Sequence, residues 1–190
     1  GLGIGLRVEI AETRDRIDVV NEASGGHMSI GEVTGSTSAT ELGIRSLDTG
    51  TLLSDFNDGL GVSIVTGSVD PVTGLPDPTS DIDLRVTLKD DTELDIDLAG
   101  ATRVQDVLDA INAEATAAGL TVPADFNAQL VADGNGIEIV DNTAGGGGVT
   151  SVEALNGSLA AEDLGIIGST TSASLVGADR AKVAVESVFT

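Results

Sequence analysis

Ile82-Asp83-Leu84-Arg85-Val86-Thr87-Leu88, then Lys89-Asp90-Asp91, then Leu94-Asp95-Ile96-Asp97-Leu98: apolar and polar residues alternate on both sides of a short acidic break. A period of two places every second side chain on the same face of a strand. Ile82, Leu84, Val86 and Leu88 therefore share a face with Leu94, Ile96 and Leu98 in a hairpin turning at Lys89-Asp90-Asp91, while Asp81, Asp83, Arg85 and Thr87 face the other way. Directly downstream the period changes. Val104, Val107, Leu108, Ile111 and Ala115 recur at helical spacing. Thr102 predicts the N-cap, Gln105 completes a capping box, and Gly119 predicts the stop. A helix laid on a hairpin predicts an α+β fold that is predominantly β, with Val104, Val107, Leu108 and Ile111 packed on Leu84, Val86, Leu94 and Ile96.

Working outward, the chain says one thing twice. Ile17-Asp18-Val19-Val20-Asn21 returns as Ile137-Glu138-Ile139-Val140-Asp141, an offset of 120. Ala39-Thr40-Glu41-Leu42-Gly43-Ile44 returns, less closely at its front, as Ala161-Glu162-Asp163-Leu164-Gly165-Ile166, an offset of 122. A Gly-rich turn lies between the anchors in each copy, Gly25-Gly26 and Gly145-Gly146-Gly147-Gly148. Repetition over this length predicts repeated β-hairpin units used as scaffold rather than one catalytic pocket.

The repeat sets the predicted organisation. Residues 1–44 read as the rear half of a first unit, residues 45–166 as a complete unit, and residues 167–190 as a return segment packing with 1–44. In the first part, Leu6, Val8 and Ile10 predict a half-buried strand, Ile17–Val20 a second, and Met28, Ile30 and Val33 a third. Ser38-Ala39-Thr40-Glu41 fits a capping box, with Gly43 ending the turn. Val62–Thr66 predicts a strand, and residues 67–80, with Pro71, Pro76 and Pro78, a loop. Strands near 126–131, 136–140 and 149–155 repeat the pattern of residues 6–33. Ser169–Ser174 reads as a polar loop, and Val183, Val185 and Val188 as a last strand. The chain reads as an excised fragment, monomeric in isolation.

Composition narrows the function. With 190 residues and 41% apolar content the chain can bury a core. A net charge of −22 opposes binding to nucleic acid and to anionic membranes. The absence of Cys removes disulfides and thiolate metal sites. No apolar run approaches the ~20 residues of a membrane span.

Motifs that would carry chemistry fare poorly. His27 is the one histidine, lies in a Gly-rich turn, and has a glycine at its counterpart in the second copy; a turn role suits it better than a triad or a zinc site. Gly3-Ile4-Gly5 and Gly59-Leu60-Gly61 lack the third glycine of a dinucleotide fingerprint and do not open a helix. Three Phe with no Trp or Tyr make a poor platform for sugars, against a carboxylate-pair glycosidase. Asp133-Gly134-Asn135-Gly136 begins like a calcium loop, but Ile137 stands where an oxygen ligand belongs and Thr13-Arg14-Asp15-Arg16 fills the first copy. Asp70, Asp77, Asp81 and Asp83 form a weaker calcium candidate. The residues thus predict no catalytic, cofactor or metal site and no enzyme, with a calcium-stabilised extracellular adhesin module as the alternative.

Asp97-Leu98-Ala99-Gly100-Ala101-Thr102-Arg103-Val104-Gln105-Asp106-Val107-Leu108-Asp109-Ala110-Ile111-Asn112 resembles the flagellin hook "IN" motif, a helix entry followed by Ile-Asn. As in that family, Ala128-Gln129-Leu130, Asp133-Gly134-Asn135-Gly136-Ile137 and a Gly-rich turn follow, and Ala161–Ile166 closes the unit. Thr51–Val62 looks like the segment preceding the motif, and residues 177–190 like the junction where a variable insert re-enters a C-terminal helix. The resemblance is to flagellin-like hook-associated proteins, nearest to the hook–filament junction (third hook-associated) proteins, with flagellin and the filament cap as alternatives. It implies a bacterial, extracellular, non-enzymatic part of the flagellum. Its partners would be other flagellar subunits, met through terminal helices that this chain lacks.

Overall fold

Local sequence period decides which segments become strands and which become helix. In a computed structural model that describes residues 5–10, 17–21, 30–31, 33–36, 38–42, 44–69, 72–75, 77, 79–132, 136–144 and 148–178, the order is β1 (Leu6–Ile10), β2 (Ile17–Asn21), α1 (Ser38–Glu41), a 3-10 turn (Leu53–Asp55) and α2 (Phe56–Gly59). There follow β3 (Leu84–Thr87), β4 (Glu93–Ile96), α3 (Val104–Ala117), β5 (Phe126–Leu130), β6 (Ile137–Asp141), β7 (Thr150–Ala154), α4 (Ala160–Asp163), β8 (Gly168–Thr170) and β9 (Ser174–Val176). The fold is α+β and mostly sheet. Strands run antiparallel in the orders β4-β3-β7-β8, β5-β6-β9 and β1-β2.

The deciding stretch folds as its alternation predicts. Leu84 pairs with Ile96 and Val86 with Leu94. Leu88 N–H closes the turn on the Thr92 carbonyl at 2.8 Å, with Asp91 at φ 68. A short polar side chain tolerates that left-handed conformation. Leu84, Val86, Leu88, Leu94, Ile96 and Leu98 are buried, and so are Val104, Val107, Leu108, Ile111 and Ala115 on α3. Each fully buried aliphatic side chain contributes roughly 1.5–3 kcal/mol, so this stripe is the main reason α3 stays on the sheets. Gly119, at φ +91, ends α3 as predicted. Its N–H reaches the Thr116 carbonyl and the Leu120 N–H that of Ala115, both at 3.0 Å, a paired C-terminal cap.

Several sequence expectations are corrected. Residues 62–66 form no strand; two of their N–H groups bond to side chains instead, Ser63 N–H to Asp163 and Val65 N–H to Asp83. Ser169–Ser174 is not a loop but the junction of β8 and β9, which extend the two larger sheets by pairing with β7 and β6. β1 forms, but all five of its residues are exposed. Ile30 and Val33 lie outside any strand, and Ser38 is the first helical residue rather than the cap; Ser36 Oγ accepts from its N–H at 3.2 Å. Met28, Gly43, Val183, Val185 and Val188 lie outside the described residues. Among the described residues no helix is long and apolar enough to cross a membrane.

Candidate functional site

The polar groups that sequence marks as chemical are best followed from the helix. α3 begins one residue later than expected. Arg103, extended at φ −135, is the N-cap, and Asp106, not Gln105, is the third helical residue. Asp106 Oδ2 accepts from Thr102 N–H (2.8 Å), Thr102 Oγ1 (3.0 Å) and Arg103 N–H (3.0 Å). The Thr102 backbone and hydroxyl bonds, with that from Arg103, hold its carboxyl below the usual carboxylate range. Gln105 instead donates to Asp109 at 2.8 Å. The N–H groups of Val104 and Gln105 donate to the carbonyls of Thr51 and Thr49, both at 3.0 Å. The start of α3 is therefore plugged by the segment before the motif and offers nothing to an anion.

The other half of the motif is equally committed. Ile111 is fully buried. Asn112 Nδ2 donates to the Ala128 carbonyl at 2.9 Å, and its Oδ1 accepts from Ala128 N–H at 2.8 Å. β5 is an edge strand, and edge strands carry unpaired backbone groups. The Asn112 amide takes the place of a neighbouring strand and fixes α3 in register on the sheet. The Ile-Asn pair is thus one residue driven into the core and one clamped to the strand beneath it.

Two buried aspartates do comparable work. Asp83 was expected to face outward with Arg85, yet it is fully buried. It sits just before β3, next to the equally buried Leu84, so the chain is not a flat strand there. Its Oδ1 accepts from Val65 N–H (2.8 Å) and Ser158 Oγ (2.7 Å), its Oδ2 from Leu98 N–H (2.9 Å). Asp141 ends β6, also fully buried. It accepts from Lys89 N–H (2.9 Å), Thr150 Oγ1 (2.6 Å), Thr143 N–H (2.9 Å) and Thr143 Oγ1 (2.6 Å). Burial raises its affinity for a proton, but the bonds from Thr143, Thr150 and Lys89 outweigh that and leave its carboxyl below the ordinary value. Lys89 approaches so closely that its backbone fills the space a Cβ on Gly148 would take, which accounts for one glycine of the Gly-rich turn. The alternation Ile137, Ile139, Asp141 marks Asp141 as inward-facing by period; nothing in the local sequence marks Asp83.

The remaining candidates are not brought together. His27 and Asp133, Gly134 and Asn135 of the first calcium candidate lie outside the described residues, as does Asp70 of the second. In the latter, Asp77 bonds Thr79 in an exposed turn, the Asp81 carboxylate lies against Gly67, and Asp83 is consumed as above. Among the described residues no group of three or more His, Cys, Asp or Glu could hold a metal ion. Gly59, the last residue of α2, and Gly61, two residues on, at φ +83 and +84, close a helix rather than open one. A groove of about 460 Å³ runs beside the start of α3, open to solvent and lined by Asp97, Asp106, Asp109, Ala110 and Ala113 among others. Asp106 and Asp109 are engaged by the helix itself.

No protein-family model matches this chain. No curated protein and no solved structure matches it either.

Proposed function

We propose that this chain is a structural, non-catalytic outer domain of a bacterial flagellar hook–filament junction protein, built from repeated hairpin units and exposed outside the cell. The observation that carries the reading is the use made of Ile111 and Asn112. The motif residues are spent on fastening a helix to a sheet edge, with Ile111 buried and Asn112 bonded twice to Ala128. The two buried aspartates support it, since their oxygens are taken by donors of the chain itself. The repeat supports it as well: β1–β2 and β5–β6 pair in one register at an offset of 120. A net charge of −22 suits a domain that projects from a helical assembly and repels its neighbours. Other flagellar subunits are the partners of such a domain.

Deleting the gene in its own bacterium tests the reading. Cells should keep hooks but lose attached filaments and release unassembled filament subunit into the medium. Filaments attached as in the parent strain would refute a junction role. Hooks absent altogether would refute it too.

A further inference from the structure

The turn after β7 brings distant parts of the chain to one point. It spans Leu155 to Ser158 and is closed by the Ser158 N–H on the Leu155 carbonyl at 2.8 Å. Asn156 and Gly157 are both left-handed, at φ 51 and 74, a conformation that Asn and Gly adopt most readily. Asn156 Nδ2 spends both of its hydrogens on another segment. It donates to the Thr79 carbonyl at 2.8 Å and to that of Ile82 at 2.9 Å. One amide thus clasps the end of the proline-containing loop, residues 67–80, to the end of β7. Further ties at the neck of this loop run from Ser68 N–H to Ser80 Oγ at 2.7 Å and from Asp77 N–H to the Ser68 carbonyl at 2.9 Å. Beyond the neck, Val69 and Leu75 are exposed.

The same amide stands beside the residue that best lets it react. Gly157 has no side chain to screen its nitrogen, and a Cβ there would meet nothing within 4 Å. Its N–H makes no hydrogen bond to a described residue, and both Asn156 and Gly157 are exposed. We propose that Asn156 is a self-modification site, converted without an enzyme to aspartate and isoaspartate, and that its conversion unfastens residues 67–80. The Gly157 nitrogen gives its proton to hydroxide and attacks Asn156 Cγ. The Cγ–Nδ2 bond breaks, and ammonia leaves with a proton taken from water. A five-membered imide then joins the two residues. Water opens it at either carbonyl. Breaking the nitrogen's bond to Cγ leaves aspartate; breaking its bond to the former backbone carbonyl leaves isoaspartate, with the chain rerouted through the side chain. Water enters and ammonia departs, with no oxidant or reductant. Either product sets a carboxylate, which cannot donate, against two carbonyl oxygens, so the ties to Thr79 and Ile82 are lost. Ser158 is buried and bonded to Asp83 at 2.7 Å, which keeps the core side of the turn in place. The inference does not need the flagellar assignment.

The test follows the folded full chain in mildly alkaline buffer, with a urea-unfolded sample alongside. Cleavage after glutamate isolates Ala154–Glu162, in which mass spectrometry reads the exchange of ammonia for water. Asn156 should convert in the folded chain, more slowly than in urea because two hydrogen bonds must open first. The converted molecules should be the ones that a non-specific protease cuts within residues 67–80. A chain carrying Asn156→Asp should be cut there about tenfold faster than the parent, since cutting follows the open population and two hydrogen bonds no longer oppose opening. Its Leu108 and Ile139 resonances should match those of the parent and so report an intact core. Asn156 still intact in the folded chain once the urea sample has converted would overturn the proposal. So would equal cutting of the parent and Asn156→Asp chains within 67–80. Cuts spreading into β3 and α3 would overturn it too, because the change would then be general unfolding rather than release of one loop.

Discussion

Asn112 shows how a single side chain can act as a mechanical part. Its amide satisfies one donor and one acceptor of Ala128. Asn112→Ala leaves both without a partner, and each orphaned buried group costs about 1–3 kcal/mol. Urea unfolding of this variant should show a loss of about 2–6 kcal/mol, one such cost for each of the two groups. Asn112→Asp keeps the acceptor but sets a carboxylate oxygen against the Ala128 carbonyl, so its loss should be at least as large. Asp141 makes a second prediction, in pH. Its folded carboxyl titrates below the reference 3.8, so its contribution is present above that value and is lost as pH falls through the folded one. The stability gap between the parent and Asp141→Asn should therefore be constant near neutrality and shrink below about pH 4. Comparing the two chains at each pH cancels the repulsion common to both. Asn112 was visible in the sequence only as half of a motif. Its bond to Ala128 joins positions 16 apart, which neither period nor composition reports. Asp83 was misread because alternation assumes a flat strand, and the chain departs from one where Asp83 takes the Leu98 N–H.

At the scale of elements, the hairpin β3–β4 and the stripe on α3 were legible because burial repeats with a fixed period. Leu108 lies in that stripe, 5% exposed. Leu108→Ala should cost about 2–5 kcal/mol, as large-to-small changes in a core do; a melting midpoint equal to that of the parent would remove α3 from the core. Val8→Ala, at a position 66% exposed, should change the midpoint by less than measurement error. The start of α3 was legible to within one residue, and the choice between Gln105 and Asp106 was not. Both are capping residues, and the difference arises because Val104 and Gln105 donate to the distant carbonyls of Thr51 and Thr49. β8 and β9 were hidden for a related reason. Three-residue strands such as Gly168–Thr170 carry too short a pattern to show alternation, and they form because β7 and β6 offer them edges.

At the scale of the molecule, acidity and architecture meet on the outer face of the sheet. Arg85 pairs with Asp95 through Nε and Nη2 (2.6 and 2.9 Å) and with Glu93 at 2.8 Å, and it stands opposite Glu153 on β7. One cation is thus ringed by carboxylates. The Asp95 hydrogen bond raises the Arg85 pKa above its ordinary value, and the bond from Arg85 lowers that of Asp95. The acidic groups that matter to stability are held by the chain's own donors, so removal of divalent cations should leave the melting midpoint unchanged. A chelator-dependent fall would instead support a calcium-stabilised module. The overall class, α+β with sheet dominant, was legible from period alone. The direct test of the account is labelling of intact cells with antibodies raised against this chain, viewed by electron microscopy. The account predicts gold confined to the boundary between hook and filament; gold on the cell body, or none on the flagellum, would contradict it.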